Sequence, residues 1–121
     1  MKVGKWRDAI ITVATDDDLT PEVDLERDYQ FLEVVIPAIT SATVSVQVAE
    51  ATGGTFQVYN ALGITATGHF LPATTAGVGG ITTTFPLGGG FRFIKVATGA
   101  AQAADRTFRV RGTDNYARYT D

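Results

Sequence analysis

The chain has no cysteine, and among its 121 residues there is a single methionine, a single tryptophan and a single histidine. Without cysteine there is no disulfide framework and no thiolate metal site, so a packed core must carry stability unless oligomerisation helps. One histidine leaves only carboxylates as further metal ligands, which excludes the donor sets of zinc hydrolases. That residue, His69, stands in a Gly/Thr stretch, and no serine in a nucleophile-elbow context partners it, so a Ser-His-Asp triad is excluded as well. Proline and the strong helix formers are scarce, whereas Thr, Val, Ala and 13 glycines abound. That balance describes short strands joined by turns. No apolar run approaches the length of a membrane span. No uninterrupted apolar stretch follows Lys2, Lys5 and Arg7, so no signal peptide is expected. No basic patch with interleaved aromatics points to nucleic acid. The expectation is a protein made and assembled in a cytoplasm, with neither membrane nor nucleic acid as partner.

Charge is missing from one long stretch. Between Ala51 and Phe91 there is no Asp, Glu, Lys or Arg. Residues 1–50 hold ten acids and four bases, and residues 51–121 hold three acids and six bases. An uncharged stretch of that length is either a set of small polar loops or a surface covered by a partner or a sister subunit, where charge is depleted.

What is present reads as strand after strand. Ala9, Ile11 and Val13 alternate after Trp6, whose ring either caps the core edge, offers a platform for a sugar, or anchors a subunit interface. Asp16, Asp17 and Asp18 break the pattern: a solvated acidic turn, or, less in keeping with the diverging side chains of an extended loop, a Ca²⁺ site. Glu22, Asp24, Glu26 and Asp28 then recur with period two opposite Val23, Leu25 and Tyr29. Four carboxylates on one strand face need a basic surface opposite. Arg109 and Arg111, which alternate with Phe108 and Val110, supply one, with Arg106 nearby, so these two regions are expected to pair within a subunit or between neighbours.

The densest core candidates lie from Tyr29 to Val48. Val44, Val46 and Val48 alternate with Thr43, Ser45 and Gln47, as a half-buried strand requires. Leu32, Val34 and Ile36 share one face of the preceding segment, while Tyr29, Phe31 and Val35 share the other with Glu33. The two segments are expected to form a hairpin, and the first, apolar on both faces, is either a central strand covered on both sides or a strand that carries a bulge. Thr55–Tyr59 should follow, with Phe56 and Val58 inward, then Ile81–Leu87, ended by Gly88-Gly89-Gly90, and Phe91–Val96. The three glycines lack the following helix and Lys-Ser/Thr of a phosphate-binding loop, so they are expected to supply a positive-φ turn. Glu33 and Glu50 are the only acids embedded among apolar strand residues, and nothing brings them together as a glycosidase pair. The fold expected is all-β: an antiparallel β-sandwich of jelly-roll type with about eight strands. It forms a single domain over 1–121, with arms at about 1–8 and 112–121. No enzyme activity, cofactor or metal is expected.

The run Val23-Asp24-Leu25, Asp28-Tyr29, Phe31-Leu32, Ile36-Pro37-Ala38 and Ser41–Val48 resembles small β-sandwich virion proteins of tailed bacteriophages and prophages. Gly53-Gly54-Thr55-Phe56, Phe91–Val96 and Arg106–Val110 belong to the same likeness, which spans about residues 22–112. The resemblance implies a structural virion component: a capsid decoration, or cement, protein on the head exterior, or a head or tail appendage. It implies a homo-oligomer, with a trimer as the expected stoichiometry, and the phage major capsid protein as partner. The residues expected at subunit or capsid interfaces are Trp6, Asp24, Glu26, Phe70, Leu71, Arg109, Arg111, Tyr116 and Tyr119. The alternative is a carbohydrate-binding β-sandwich for host attachment, recognising a host-surface glycan through Trp6, Tyr59, Tyr116 and Tyr119 with Asn60 and Asn115 beside them.

Overall fold

The computed structural model describes residues 2–58, 71–74 and 81–114, with Lys2 and 71–74 placed by their backbone. Within them run β1 (Lys2–Val3), β2 (Arg7–Ile11), β3 (Val23–Ile36), β4 (Ala42–Ala49), β5 (Gln57–Val58), β6 (Leu71–Thr74), β7 (Ile81–Thr98) and β8 (Arg106–Asp114). They form one antiparallel sheet in the order β1-β8-β3-β7-β4-β5, with β2 also on β8 and β6 also on β4. The sheet curls into a half-barrel, and the described residues contain no helix. The all-β class expected from composition is what folds, as one continuous curled sheet.

The alternation of the sequence decides which face is inside. Leu32, Val34 and Ile36 of β3 are fully buried, as are Phe85 and Leu87 of β7 and Phe108 and Val110 of β8. Val44, Val46 and Val48 of β4 and Ala9 and Ile11 of β2 join the same cluster. Because side chains alternate between faces, a one-residue slip of β3 would turn Leu32, Val34 and Ile36 outward at a cost of about 1.5–3 kcal/mol each. Ile39, in the connection after β3, is also fully buried and adds to the core from a loop.

The expected hairpin of Tyr29–Ile36 with Val44–Val48 does not form. β3 lies between β7 and β8, and β4 pairs with β7 on the other side. β3 is central, as its two apolar faces require, and the 18-residue β7 separates it from β4. The glycine triplet likewise does not end a strand. β7 runs straight through it, joining the two strands expected on either side.

Two opposed bulges make this possible. Between the pairs Asp24–Phe93 and Tyr29–Phe91, the four residues Leu25–Asp28 stand opposite Arg92 alone; between Tyr29–Phe91 and Phe31–Pro86, Leu87–Gly90 stand opposite Gln30 alone. The two irregularities cancel, and the register beyond them matches the register before. Each needs a residue in left-handed backbone: Gly88 at φ 70° in β7 and Glu26 at φ 72° in β3. Glycine adopts that conformation freely, but glutamate does so at a cost of about 1–2 kcal/mol. The Asp24 carboxylate offsets it by accepting the Glu26 backbone N–H at 2.7 Å. The left-handed turn also breaks the period-two row of carboxylates.

Tyr29, which simple alternation would place beside Phe31, is carried by the bulge into the core. Its ring lies flat against Gly112, where a Cβ would stand 2.0 Å from Tyr29 Cδ2. Within the N-terminal arm expected at about 1–8, Lys2–Val3 and Arg7–Asp8 pair with β8, and the Gly4 N–H donates to Gly112 O at 2.8 Å. Gly112–Asp114 are the last residues of β8, and 115–121 lie outside the described residues. Val58 differs from expectation too, being 42% exposed on the short edge strand β5. Replacing Gly112 by Ala should destabilise the fold by about 1–3 kcal/mol, the usual cost of overpacking. Gly90→Ala, in open space, should stay within about 0.5 kcal/mol. Urea melts of the two variants check the contrast.

Candidate interaction surface

The outer face of β2, β8 and β3 gathers three of the residues singled out in the sequence. Val3 pairs with Thr113 and Arg7 with Val110, so Lys5 and Trp6 together stand opposite Arg111 after the Gly4–Gly112 bond. This extra residue is a β-bulge, and bulges re-aim side chains. Trp6 is turned onto the outer face, with the Arg111 guanidinium 4.5 Å and that of Arg109 5.4 Å from its ring centroid. It is an outer-face residue, not a cap on the core edge. Such cation–π contacts are each worth about 0.5–1 kcal/mol at exposed sites.

The register fixes the partners of both arginines. Glu33 lies directly opposite Arg111, and the two form an ion pair at 2.5 Å. Asp8 lies opposite Arg109, at 3.8 Å. The expected pairing of the acidic 22–28 segment with this arginine row therefore does not occur within the chain, because β8 meets β3 only along Phe31–Val35. The acids of that segment find other partners. Asp24 binds Arg92 through two hydrogen bonds at 2.7 and 2.9 Å, and Glu26 pairs with Arg7. Glu22 holds the turn after β4, accepting from the Thr52 hydroxyl at 2.6 Å and the Gly53 N–H at 2.8 Å. Arg27 stacks on Tyr29 and pairs with the buried Asp114 at 2.9 Å, which also accepts the Gln30 N–H.

Electrostatics follow these contacts. The Arg92 guanidinium, with help from the Glu26 N–H, holds the Asp24 carboxyl down to about 2. Glu22 is lowered by the Thr52 hydroxyl and the Gly53 N–H, and Glu26 by Arg7. Asp18 is raised, first by its hydrogen bond with Asp16 and then by partial burial and the neighbouring charges. The carboxylates of Asp16, Asp17 and Asp18, expected to diverge, converge to within 4.8 Å of one another, because backbone bonds from Gln102 to Asp17 O and from Thr98 to Asp18 O fold the loop back on β7 and its following loop.

One polar cluster was missed in the sequence. The buried Gln102 side chain accepts the Thr40 N–H at 2.8 Å and donates to Thr40 O and Ala100 O. Arg106 donates to Gln102 Oε1 and to Thr40 Oγ1. Nothing in periodicity marks an isolated Gln in an Ala-rich loop as a structural pin. Leu71 stands on β6 opposite Val44. Phe70, Tyr116 and Tyr119, together with Tyr59, Asn60, His69 and Asn115, lie outside the described residues.

No known protein family matches the chain, and neither a curated protein nor a solved structure is similar enough to count as a relative.

The pH dependence has a definite sign. Asp24, Glu22 and Glu26 have folded pKa values below their unfolded ones, so their contributions are present above about pH 4 and are lost as pH falls from there toward 2. Asp18, raised, acts in the opposite sense. Thermal melts between pH 6 and pH 2.5 should show falling stability with acid, and a smaller fall in Asp24→Asn than in the wild type.

Proposed function

We propose that the chain is a structural virion protein of a tailed bacteriophage, a capsid decoration protein that binds the exterior of the head as a homo-oligomer. The observation that carries this reading is the outer sheet face on which the only tryptophan of the chain is stacked with Arg109 and Arg111. Trp and Arg are the residue types that dominate binding energy at protein interfaces. Here both are held in place before any partner arrives, which lowers the entropy cost of docking. The resemblance of residues 22–112 to virion β-sandwich proteins supports the same reading, and the jelly-roll sandwich belongs to it as the finer form of the fold. The major capsid protein is the partner, the virion surface the location, and the host cytoplasm the place of assembly.

A glycan-binding role in host attachment is the second reading. Among the described residues it rests on Trp6 alone, whose ring is already engaged by two guanidinium groups, and it ranks below the first for that reason.

Purified protein mixed with capsids that lack decoration should co-sediment with them and raise the temperature at which they open. Trp6→Ala should weaken binding by about tenfold or more, as loss of an interface anchor does. Capsids that neither bind the protein nor gain heat resistance would overturn the reading.

A further inference from the structure

We propose that the outer face of β2 and β8 around Asp8 and Arg109 is a two-fold contact with a second copy of this chain. The inference deepens the proposed function, which calls for a homo-oligomer, and rests on that reading for the need of a partner copy but not for the choice of face.

Asp8 and Arg109 are the one loosely engaged ion pair among the described residues. They stand 3.8 Å apart with side chains 58% and 54% exposed. The other pairs close to 2.9 Å or less. The Arg109 side chain makes no hydrogen bond to any described residue, so its guanidinium keeps its donors for another acceptor. Around the pair apolar side chains stand among polar ones, with the Arg111–Glu33 ion pair and Thr107 on the same face. Ile10 shares the face of Asp8, since Ala9 and Ile11 point inward, and is 39% exposed. Val35 lies opposite Arg109 and Trp6 beside it.

The occupant follows from the charges. An isologous contact requires a patch that is its own complement. A plus and a minus charge side by side, with a two-fold axis between them, give Arg109 to Asp8 of the second copy and Asp8 to its Arg109. A wholly acidic or wholly basic partner would match half of the patch and be repelled by the other half. Once paired across the axis, both ion pairs lose solvent, which strengthens them, while Trp6 and Arg111 at the far side of Arg109 are left to the capsid. A two-fold contact builds pairs, so the trimer expected from the sequence would need a different face.

Light scattering and sedimentation of the full chain test this. The wild type should have the mass of a dimer. Arg109→Glu and Asp8→Arg, each folded by thermal melt, should each weaken self-association by at least about tenfold, through like charges across the axis. An equimolar mixture of the two variants should recover the dimer, because Glu at 109 then meets Arg at 8 while the native pair forms on the other side. Mixing cannot repair a defect internal to one chain. If either variant fails to fold, Arg109→Ala and Asp8→Ala replace it, with loss of the dimer expected in both. A monomeric or trimeric wild type, a dimer that survives the substitutions, or a mixture that stays monomeric would overturn the contact. Binding to bare capsids separates the two proposals: a dimer through this face that ignores capsids removes the function and keeps the contact, and a capsid-binding monomer does the reverse.

Discussion

The fold depends on the mutual cancellation of two bulges. β3 and β7 are the long strands of the sheet, and long antiparallel strands paired without interruption twist but do not readily curl far enough to bury a concave face. Here Leu25–Asp28 bulge on one strand and Leu87–Gly90 on the other, on either side of the single pair Tyr29–Phe91. The ladder bends there and then resumes in its original register. Tyr29 becomes the hinge pin of that bend, seated on Gly112 and close to Gly4. The left-handed Glu26 is the strained part of the arrangement, and the surrounding contacts hold it: Asp24 on its backbone, Arg7 on its side chain.

The acidic half of the sequence serves the same bend. Row repulsion among Glu22, Asp24, Glu26 and Asp28 is avoided because the bulge sends successive carboxylates in different directions. Glu22 goes to the β4 turn, Asp24 to Arg92 and Glu26 to Arg7. The uneven charge between the chain's halves is thus partly a matter of internal pairing, since Arg92 and Arg111 from the second half meet Asp24 and Glu33 from the first. The loosest of the ion pairs among the described residues, Asp8–Arg109, lies on the outer face of β2 and β8.

Much of this was legible in the residues. The valines of β4, the inward Leu32, Val34 and Ile36, and the Phe108/Arg109/Val110/Arg111 alternation all occupy the faces that a period of two assigns. The order of strands was not legible, because hydrophobic alternation says which side of a strand is buried and nothing about its neighbour. A Gly triplet reads as a stop when taken alone; only the matching excess on β3 turns it into a bulge. The one extra residue at Lys5–Trp6 was hidden for the same reason, since a bulge is a relation between two strands. Of the interface candidates, Trp6, Arg109 and Arg111 come together, Asp24 and Glu26 sit apart at the bend, and the pairing expected between the two groups does not form within the chain, because register, not charge, decides which residues meet there. Gln102 had no pattern to betray it.

The pairing of the strands has a temporal meaning. Among the described residues no strand within residues 2–49 pairs with another strand of that same stretch: β1, β2 and β3 are hydrogen-bonded to β7 and β8, and β4 to β5, β6 and β7. While the chain emerges from a ribosome, these strands must wait, with the apolar faces of β3 and β4 open to water and to other chains. Sheets built from such distant contacts fold slowly, on the order of milliseconds to seconds, and are exposed to aggregation meanwhile. The dense acidity of the first fifty residues, which the finished sheet uses for pairing, keeps the unfinished chain repelling its own copies until β8 arrives to close it.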